Sequence, residues 1–236
     1  IPIHLGSAIV TTKGYARIKA ATIMKLSSDG KTLVGGKKVL SCDCMGMSGG
    51  WNPAIHLFSQ SAGKVKWDNE LATFIPDEAT QIVLPIGGCN GKTTLSKSIK
   101  DGFKAGISAA RSSGNKGHPP AALSVQEPIQ TDHRFVLPIP TEKGEFTKGK
   151  VFVDFQNDVT LSDIQLASRE GYNSIEHLKR YTTVGMGTDQ GKTSNVSALI
   201  LLSQILDCQP EKIGYTTFRP PYAPTTIGAY AGRNIG

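Results

Sequence analysis

Gln81-Ile-Val-Leu-Pro-Ile-Gly-Gly-Cys-Asn-Gly-Lys-Thr-Thr-Leu95 decides the fold class. Gln81–Ile86 reads as a buried strand and Gly87–Gly91 as a glycine turn. From Thr93 onward the pattern is helical: Leu95, Ile99, Phe103, Ile107 and Ala110 recur every three to four positions. Strand, glycine turn and helix in that order point to an α/β fold. Gly102 and Gly106 sit four apart on the predicted helix and fit close packing on a sheet.

Upstream, short β-rich runs alternate with turns. Ser7–Thr12 and Ala16–Met24 flank Lys13-Gly14-Tyr15 as a hairpin, Ser28–Lys31 marks a reversal, and Lys38–Met47 reads as a buried strand. A short helix is expected from Pro53, capped by Asn52, with Ile55, Leu57 and Phe58 as its apolar face. Downstream, glycines and prolines between 113 and 149 break all periodicity and read as a linker. Val151–Phe155 is a strand. Three short helices follow: Leu161–Glu170 capped by Thr160, Ile175–Tyr181 capped by Ser174, and a run opened by Ser194 or Asn195 that ends near Leu206. Tyr215–Pro224 is extended, because residues before proline avoid the helical region.

At 236 residues the chain is one large unit or two small ones. The hydrophobic fraction of 39% supports a core, and 19% charge is too little for a disordered tail. Its longest apolar run, Ala198 to Leu202, falls far short of the ~20 residues that span a bilayer. No membrane partner is expected. The net charge of +7 favours phosphates or acidic partners, while 7% aromatic content supplies a nucleic-acid stacking surface poorly, so no nucleic acid is expected. Four cysteines without a Cys-x-x-Cys pair read as reduced thiols in a cytoplasmic protein. The ends, Ile1-Pro-Ile-His-Leu and Arg233-Asn-Ile-Gly236, read as a piece of a longer polypeptide.

Gly91-Lys92-Thr93 and Gly191-Lys192-Thr193 both end like a phosphate-binding loop. Such a loop needs a glycine five residues before its second glycine, and those positions hold Ile86 and Met186. A nucleotide-hydrolysing site is therefore not expected. Amides at a helix start, with a lysine and hydroxyls, still suit a phosphate. The first turn is open to two readings: a dinucleotide pyrophosphate beside Gly87, Gly88, Cys89 and Thr93, or a tight turn without a ligand. So is the second. Lys179, Arg180 and Lys192 converge on one phosphate with Thr182, Thr183 and Thr193, or they form a solvated basic helix end with Asp189 pairing one cation.

Five longer motifs carry a more specific signal: Ser48-Gly-Gly-Trp-Asn-Pro-Ala-Ile-His-Leu57, Phe152–Thr160, Ser174-Ile-Glu-His-Leu-Lys-Arg-Tyr-Thr-Thr183, Gly185-Met-Gly-Thr-Asp-Gln-Gly-Lys-Thr-Ser-Asn195 and Phe218-Arg-Pro-Pro-Tyr-Ala-Pro224. In sequence and order they resemble the alpha subunit of heterotetrameric sarcosine oxidase, over essentially the whole chain. The resemblance implies an α/β fold in four parts. Residues 1–112 are the C-terminal part of a disulfide-reductase-like FAD/NAD-type dinucleotide-binding module, and 113–149 a linker. Residues 150–213 are a small helical domain related to cluster-binding bacterial ferredoxins, and 214–236 the start of an aminomethyltransferase-like folate-binding domain.

Those ferredoxin relatives carry Cys-x-Cys and Cys-Gln-Gly-x-x-Cys. The matching positions here are Asp154 and Gln156, then Asp189 and Ser194, so no iron–sulfur cluster is expected. Cys42 and Cys44, in a strand read as buried, are no substitute. By the same resemblance, NAD binds at Gly87, Gly88, Cys89, Thr93 and Leu95, and the phosphate of FMN at Arg180, Thr182, Lys192 and Thr193 on the boundary with a beta subunit. The implied partners are beta, gamma and delta subunits. The implied reaction is oxidative demethylation of sarcosine, held by the beta subunit, with O2 and tetrahydrofolate; no catalytic residue is expected within this chain. Two alternatives are a subunit of a related opine or proline dehydrogenase and a non-catalytic scaffold.

Overall fold

The computed structural model describes residues 2–127, 136–141 and 150–233; the stretches 128–135 and 142–149 of the expected linker lie outside the described residues. The architecture is mixed α/β, with small antiparallel sheets and a helical unit. β1 (Ser7–Gly14) and β2 (Ile18–Leu26) form the expected hairpin, with Ser7 opposite Lys25. The reversal after β2 is tied by Ser27 Oγ, which accepts from Thr32 N at 3.0 Å and donates to Asp29 Oδ1 at 2.5 Å. β3 (Leu33–Ser41) pairs antiparallel with β2. The strand expected at Lys38–Met47 is therefore shifted: it starts earlier, stops at Ser41, and is exposed rather than buried. Gly35, Gly36, Lys37 and Lys38 explain this, since glycines and lysines suit an outer strand with no cover. Cys42 and Cys44 lie past its end, half-buried and exposed.

α1 (His56–Gln60) begins three residues later than Asn52 and Pro53 suggested and has no side-chain cap. Ile55 and Phe58 are buried, whereas Leu57 is 62% exposed, so tertiary packing holds this short helix. β4 (Val65–Asp68) and β5 (Thr73–Pro76) form a two-stranded ribbon in which the Trp67 and Phe74 rings meet at 5.3 Å, nearly edge to face.

The expected strand Gln81–Ile86 does not form, and Ile82, Val83, Leu84 and Ile86 are exposed. A strand needs a hydrogen-bonding neighbour, and this run finds none among the described residues; Pro85 also removes a donor. Gly87–Asn90 is a single tight helical turn, closed by Gly91 in the left-handed region at φ 69°. α2 (Leu95–Ser112) follows, with Thr94 Oγ1 accepting from Lys97 N at 3.4 Å. No residue of α2 is buried among the described residues. The close sheet packing expected at Gly102 and Gly106 is likewise not met there: a Cβ on Gly102 would find only Ile86 Cδ1, at 4.0 Å, and one on Gly106 nothing within 4 Å.

Most of the buried core belongs to the C-terminal third. β6 (Phe152–Asp154) and β7 (Val159–Thr160) pair, and α3 (Leu161–Arg169), α4 (Ile175–Thr182), α5 (Asn195–Ile205) and α6 (Pro210–Ile213) pack together. The caps fall where expected. Asp163 accepts from Thr160 N at 2.8 Å, and Ser174 Oγ accepts from His177 N at 3.3 Å. In α5 every residue from Ala198 to Ser203 is buried, which marks it as the central helix. After α6 the chain runs extended, then forms α7 (Ile227–Ala231). The same hydrophobic cluster takes in Ile55, Trp67 and Phe74, so the packing continues across the expected linker.

Candidate functional site: a closed carboxylate knot beside a cationic cavity

Two tight turns bring Asp154, Gln156, Asp189 and Ser194 together. Thr183 ends α4 in the left-handed region (φ 65°), and the loop from Val184 to Ser194 then folds back on β6. Gly185 and Gly191 are required there. Both have positive φ, and a Cβ on either would run into Asn195. Asp154 is 2% exposed and has no cation as partner among the described residues; backbone and hydroxyl donors surround it instead. One carboxylate oxygen accepts from Gly185 N at 2.7 Å and Ser194 Oγ at 3.3 Å, the other from Gln156 N at 2.9 Å and Asn157 N at 3.3 Å. Burial works to raise its pKa, and these hydrogen bonds outweigh it, holding the carboxyl below the usual carboxylate range.

Gln156 Oε1 accepts from Thr188 Oγ1 at 3.2 Å and Asp189 N at 3.4 Å. Asp189 turns its carboxylate onto its own loop, accepting from Gly191 N at 3.0 Å and Thr193 Oγ1 at 2.8 Å. The four positions are thus neighbours and are satisfied by one another's turns. Oxygen and amide groups in such a network do not offer the four thiolates that an iron–sulfur cluster takes. Among the described residues no group of three or more histidine, cysteine or acidic side chains is arranged to hold a metal ion.

Lys192 leaves this knot on the side facing α1. Its Nζ donates to Tyr222 O at 2.6 Å and lies 4.3 Å over the Tyr222 ring. The 219–222 segment is strapped to the loop by Gln190, whose Nε2 donates to Pro221 O at 2.7 Å and whose Oε1 accepts from Arg219 N at 3.2 Å. Under the strap lies a cavity lined by Asn52, His56, Phe74, Lys192, Thr216 and Phe218, among others. It holds about 40 Å³ of water-accessible space. That is far less than a whole cofactor takes.

His56 is 8% exposed, its ring lies tilted against Phe218 with centroids 3.9 Å apart, and neither ring nitrogen has a partner among the described residues. Burial first, and the nearby Lys192 charge second, push its pKa down, so the ring is neutral at pH 7. Thr216 Oγ1 is also buried without a partner among the described residues. Tyr215 accepts from Ser59 Oγ at 3.2 Å, and burial pushes its phenol up to about 12.

The predicted phosphate residues do not share this cavity. Lys192 lines it, whereas Arg180, Thr182 and Thr193 do not. Arg180 is paired with Glu176 at 2.9 Å, Thr182 Oγ1 donates to Leu178 O at 2.8 Å, and Thr193 is held by Asp189. Lys179 is half-buried within reach of the charges of Arg180 and Arg219; its pKa is lowered by burial first and by those two cations besides. The cations therefore divide into Lys179, Arg180 and Arg219 in one group and Lys192 in the other. His56 and Thr216 were missed by sequence reasoning, although His56 stands within the Ser48–Leu57 motif; a lone histidine without an acidic neighbour carries no local signal.

The predicted dinucleotide residues do cluster in one turn. Gly87 N donates to Asp101 Oδ2 at 2.9 Å, Cys89 Sγ donates to Ile86 O at 2.9 Å, and Gly88, Thr93 and Leu95 are exposed. The amide of Ser96, in the first turn of α2, donates to Glu127 Oε1 at 2.7 Å. Two carboxylates thus take two of the amides in this turn, those of Gly87 and Ser96.

Residues 148–233 match the sarcosine oxidase A3 domain family. The sarcosine oxidase subunit alpha of Rhizobium meliloti is 36% identical over 98% of this chain, and that of Corynebacterium sp. strain P-1 is 34% identical over all of it. The chain spans about a quarter of those relatives, 24% and 25% of their lengths. The crystal structure of L-proline dehydrogenase from P. horikoshii superimposes with a TM-score of 0.59, covering 93% of this chain and 43% of that one, at 17% identity. That likeness shows a shared fold. Residues 148–233 carry the sarcosine oxidase A3 domain, and along its whole length the chain is similar in sequence to sarcosine oxidase alpha subunits.

Proposed function

We propose that the chain is part of the alpha subunit of an oxidoreductase that demethylates sarcosine. Sarcosine, O2 and tetrahydrofolate would give glycine, hydrogen peroxide and methylenetetrahydrofolate. The observation that carries this reading is the relationship along the entire chain to subunits of that name. Beta, gamma and delta subunits complete the assembly, sarcosine sits in the beta subunit, and the folate domain begins at residues 214–236. Within this chain, 1–112 would be the end of a dinucleotide-binding module and 150–213 a ferredoxin-like domain without a cluster. The convergence of Asp154, Gln156, Asp189 and Ser194 supports that last assignment, because four scattered positions meet where relatives of that type would place thiolates.

FMN, when bound, supplies the two-electron acceptor. This chain would contribute a grip on its phosphate. Lys192 fits that role as it stands, since an ammonium beside unpaired buried donors suits an oxyanion. Arg180, Thr182 and Thr193 join it only after releasing Glu176, Leu178 and Asp189. NAD at Gly87, Gly88, Cys89, Thr93 and Leu95 rests on the resemblance. Asp101 on the Gly87 amide and Glu127 on the neighbouring Ser96 amide would have to give way to a pyrophosphate there. A cluster-linked amine dehydrogenase is disfavoured by the donor set of the knot.

The test is sarcosine-dependent formation of hydrogen peroxide by the full subunit assembled with its partners. Peroxide and glycine in equal amounts are expected. Turnover of proline or an opine, with none of sarcosine, would overturn the assignment.

A further inference from the structure

We propose that the cavity between α1 and the Tyr215–Tyr222 segment is an oxyanion site for a phosphate group, with Lys192 as its cation and His56 and Thr216 as its neutral donors. This deepens the proposed phosphate grip and rests on it for one source of the anion, the phosphate of a flavin mononucleotide; inorganic phosphate is the other.

Four observations carry it. His56 and Thr216 are both more than nine-tenths buried, both line the cavity, and none of their side-chain polar atoms has a partner among the described residues. Leaving such groups unpaired is costly, so a fold that keeps two of them in the lining of one cavity is arranged to hold something polar there. Lys192 gives the site its sign. It uses one of its three N–H donors on Tyr222 O and faces the cavity with the rest of its charge, and among the described residues no carboxylate lines the wall. Size fits the occupant: about 40 Å³ suits a phosphate group better than a flavin ring.

Asn52, Thr73, Asn195 and Tyr215 also line the cavity, and the apolar side chains of Ile55, Phe74, Ile175, Leu199 and Phe218 among them strengthen each polar contact by excluding water. His56 suits an anion in its neutral form, since its N–H donates while its other nitrogen accepts from a protonated phosphate oxygen. The 219–222 strap is tied beside the site through Lys192 and Gln190, and the Tyr222 ring meets His56 nearly edge to face at 5.1 Å.

The test titrates inorganic phosphate into the full chain and follows the nitrogen signals of the His56 ring by NMR, with acetate as the control anion. Phosphate is expected to shift those signals saturably and acetate more weakly. Thr216→Val, an isosteric change, is expected to weaken phosphate binding about 10-fold, the loss of one hydrogen bond to a charged group. Lys192→Met is expected to weaken it further while leaving the unfolding midpoint within a few degrees. His56 signals that ignore phosphate, or phosphate affinity unchanged in Thr216→Val, would overturn the site.

A second arm identifies the source. If assembled enzyme carrying Thr216→Val also loses FMN, the phosphate is the flavin's; if FMN stays while phosphate binding falls, the site serves free phosphate. Should Lys192→Glu strip FMN while Thr216→Val leaves both phosphate affinity and flavin content intact, the grip survives and the cavity site is refuted.

Discussion

Replacing Asp154 with asparagine removes one oxygen from the centre of the knot and changes almost nothing in volume. The remaining amide oxygen can keep Gln156 N and Asn157 N, at 2.9 and 3.3 Å. The new NH2 then faces the Gly185 N–H, formerly 2.7 Å from the carboxylate, donor against donor. Ser194 can rotate its hydroxyl and accept instead. One charge-assisted bond is lost, worth about 1.5–3 kcal/mol, and one buried N–H is left unpaired, at about 1–3 kcal/mol; the two overlap, so the expected loss is about 3–4 kcal/mol. Urea unfolding followed by circular dichroism measures it directly. The pH dependence gives a second handle. Because the folded Asp154 carboxyl titrates below its ordinary value of 3.8, its contribution is fully present above that value and vanishes as pH falls through the folded pKa. The gap between wild type and Asp154→Asn should therefore be steady at neutral pH and narrow as pH falls below 3.8. A loss under about 1 kcal/mol at neutral pH, or a gap that does not close in acid, would refute the knot as the stabiliser of this loop.

Three further outcomes are expected. The His56 ring should titrate below its ordinary 6.5, with stability complete above that pH and declining as pH falls beneath it; Lys192→Met should move the NMR midpoint back up, since it removes the nearby charge. Leu202→Ala, at a fully buried position of α5, should cost about 2–5 kcal/mol in urea unfolding. Asp163→Ala, which removes the acceptor for Thr160 N, should cost about 1 kcal/mol by the same assay, and Asp163→Asn less.

Locally encoded features were legible. The hairpin of β1 and β2, the Thr160 and Ser174 caps, and the helices they open all depend on residues within one or two turns of each other. Features that depend on distant partners were not. Gln81–Ile86 has the composition of a strand, but a strand exists only with a neighbour, and the described residues provide none. The strand expected through Met47 failed for a related reason: β3 is an outer strand bearing glycines and lysines, and its pairing ends at Ser41. At the site, the sequence grouped Lys179, Arg180 and Lys192 because they are near in the chain. Folding separates them, since Arg180 lies on α4 against Glu176 while Lys192 leaves a reversed loop toward α1. His56 and Thr216 are far apart in the chain, and only the packing of Ile55 and Phe74 against the helical unit brings them to one wall.

The measurement that bears most directly on the central claim is the FMN content of assembled enzyme purified with Lys192→Glu. An account in which this chain grips a phosphate through Lys192 predicts flavin lost from the variant, while the subunits stay associated. Flavin content equal to that of the wild-type assembly would contradict it.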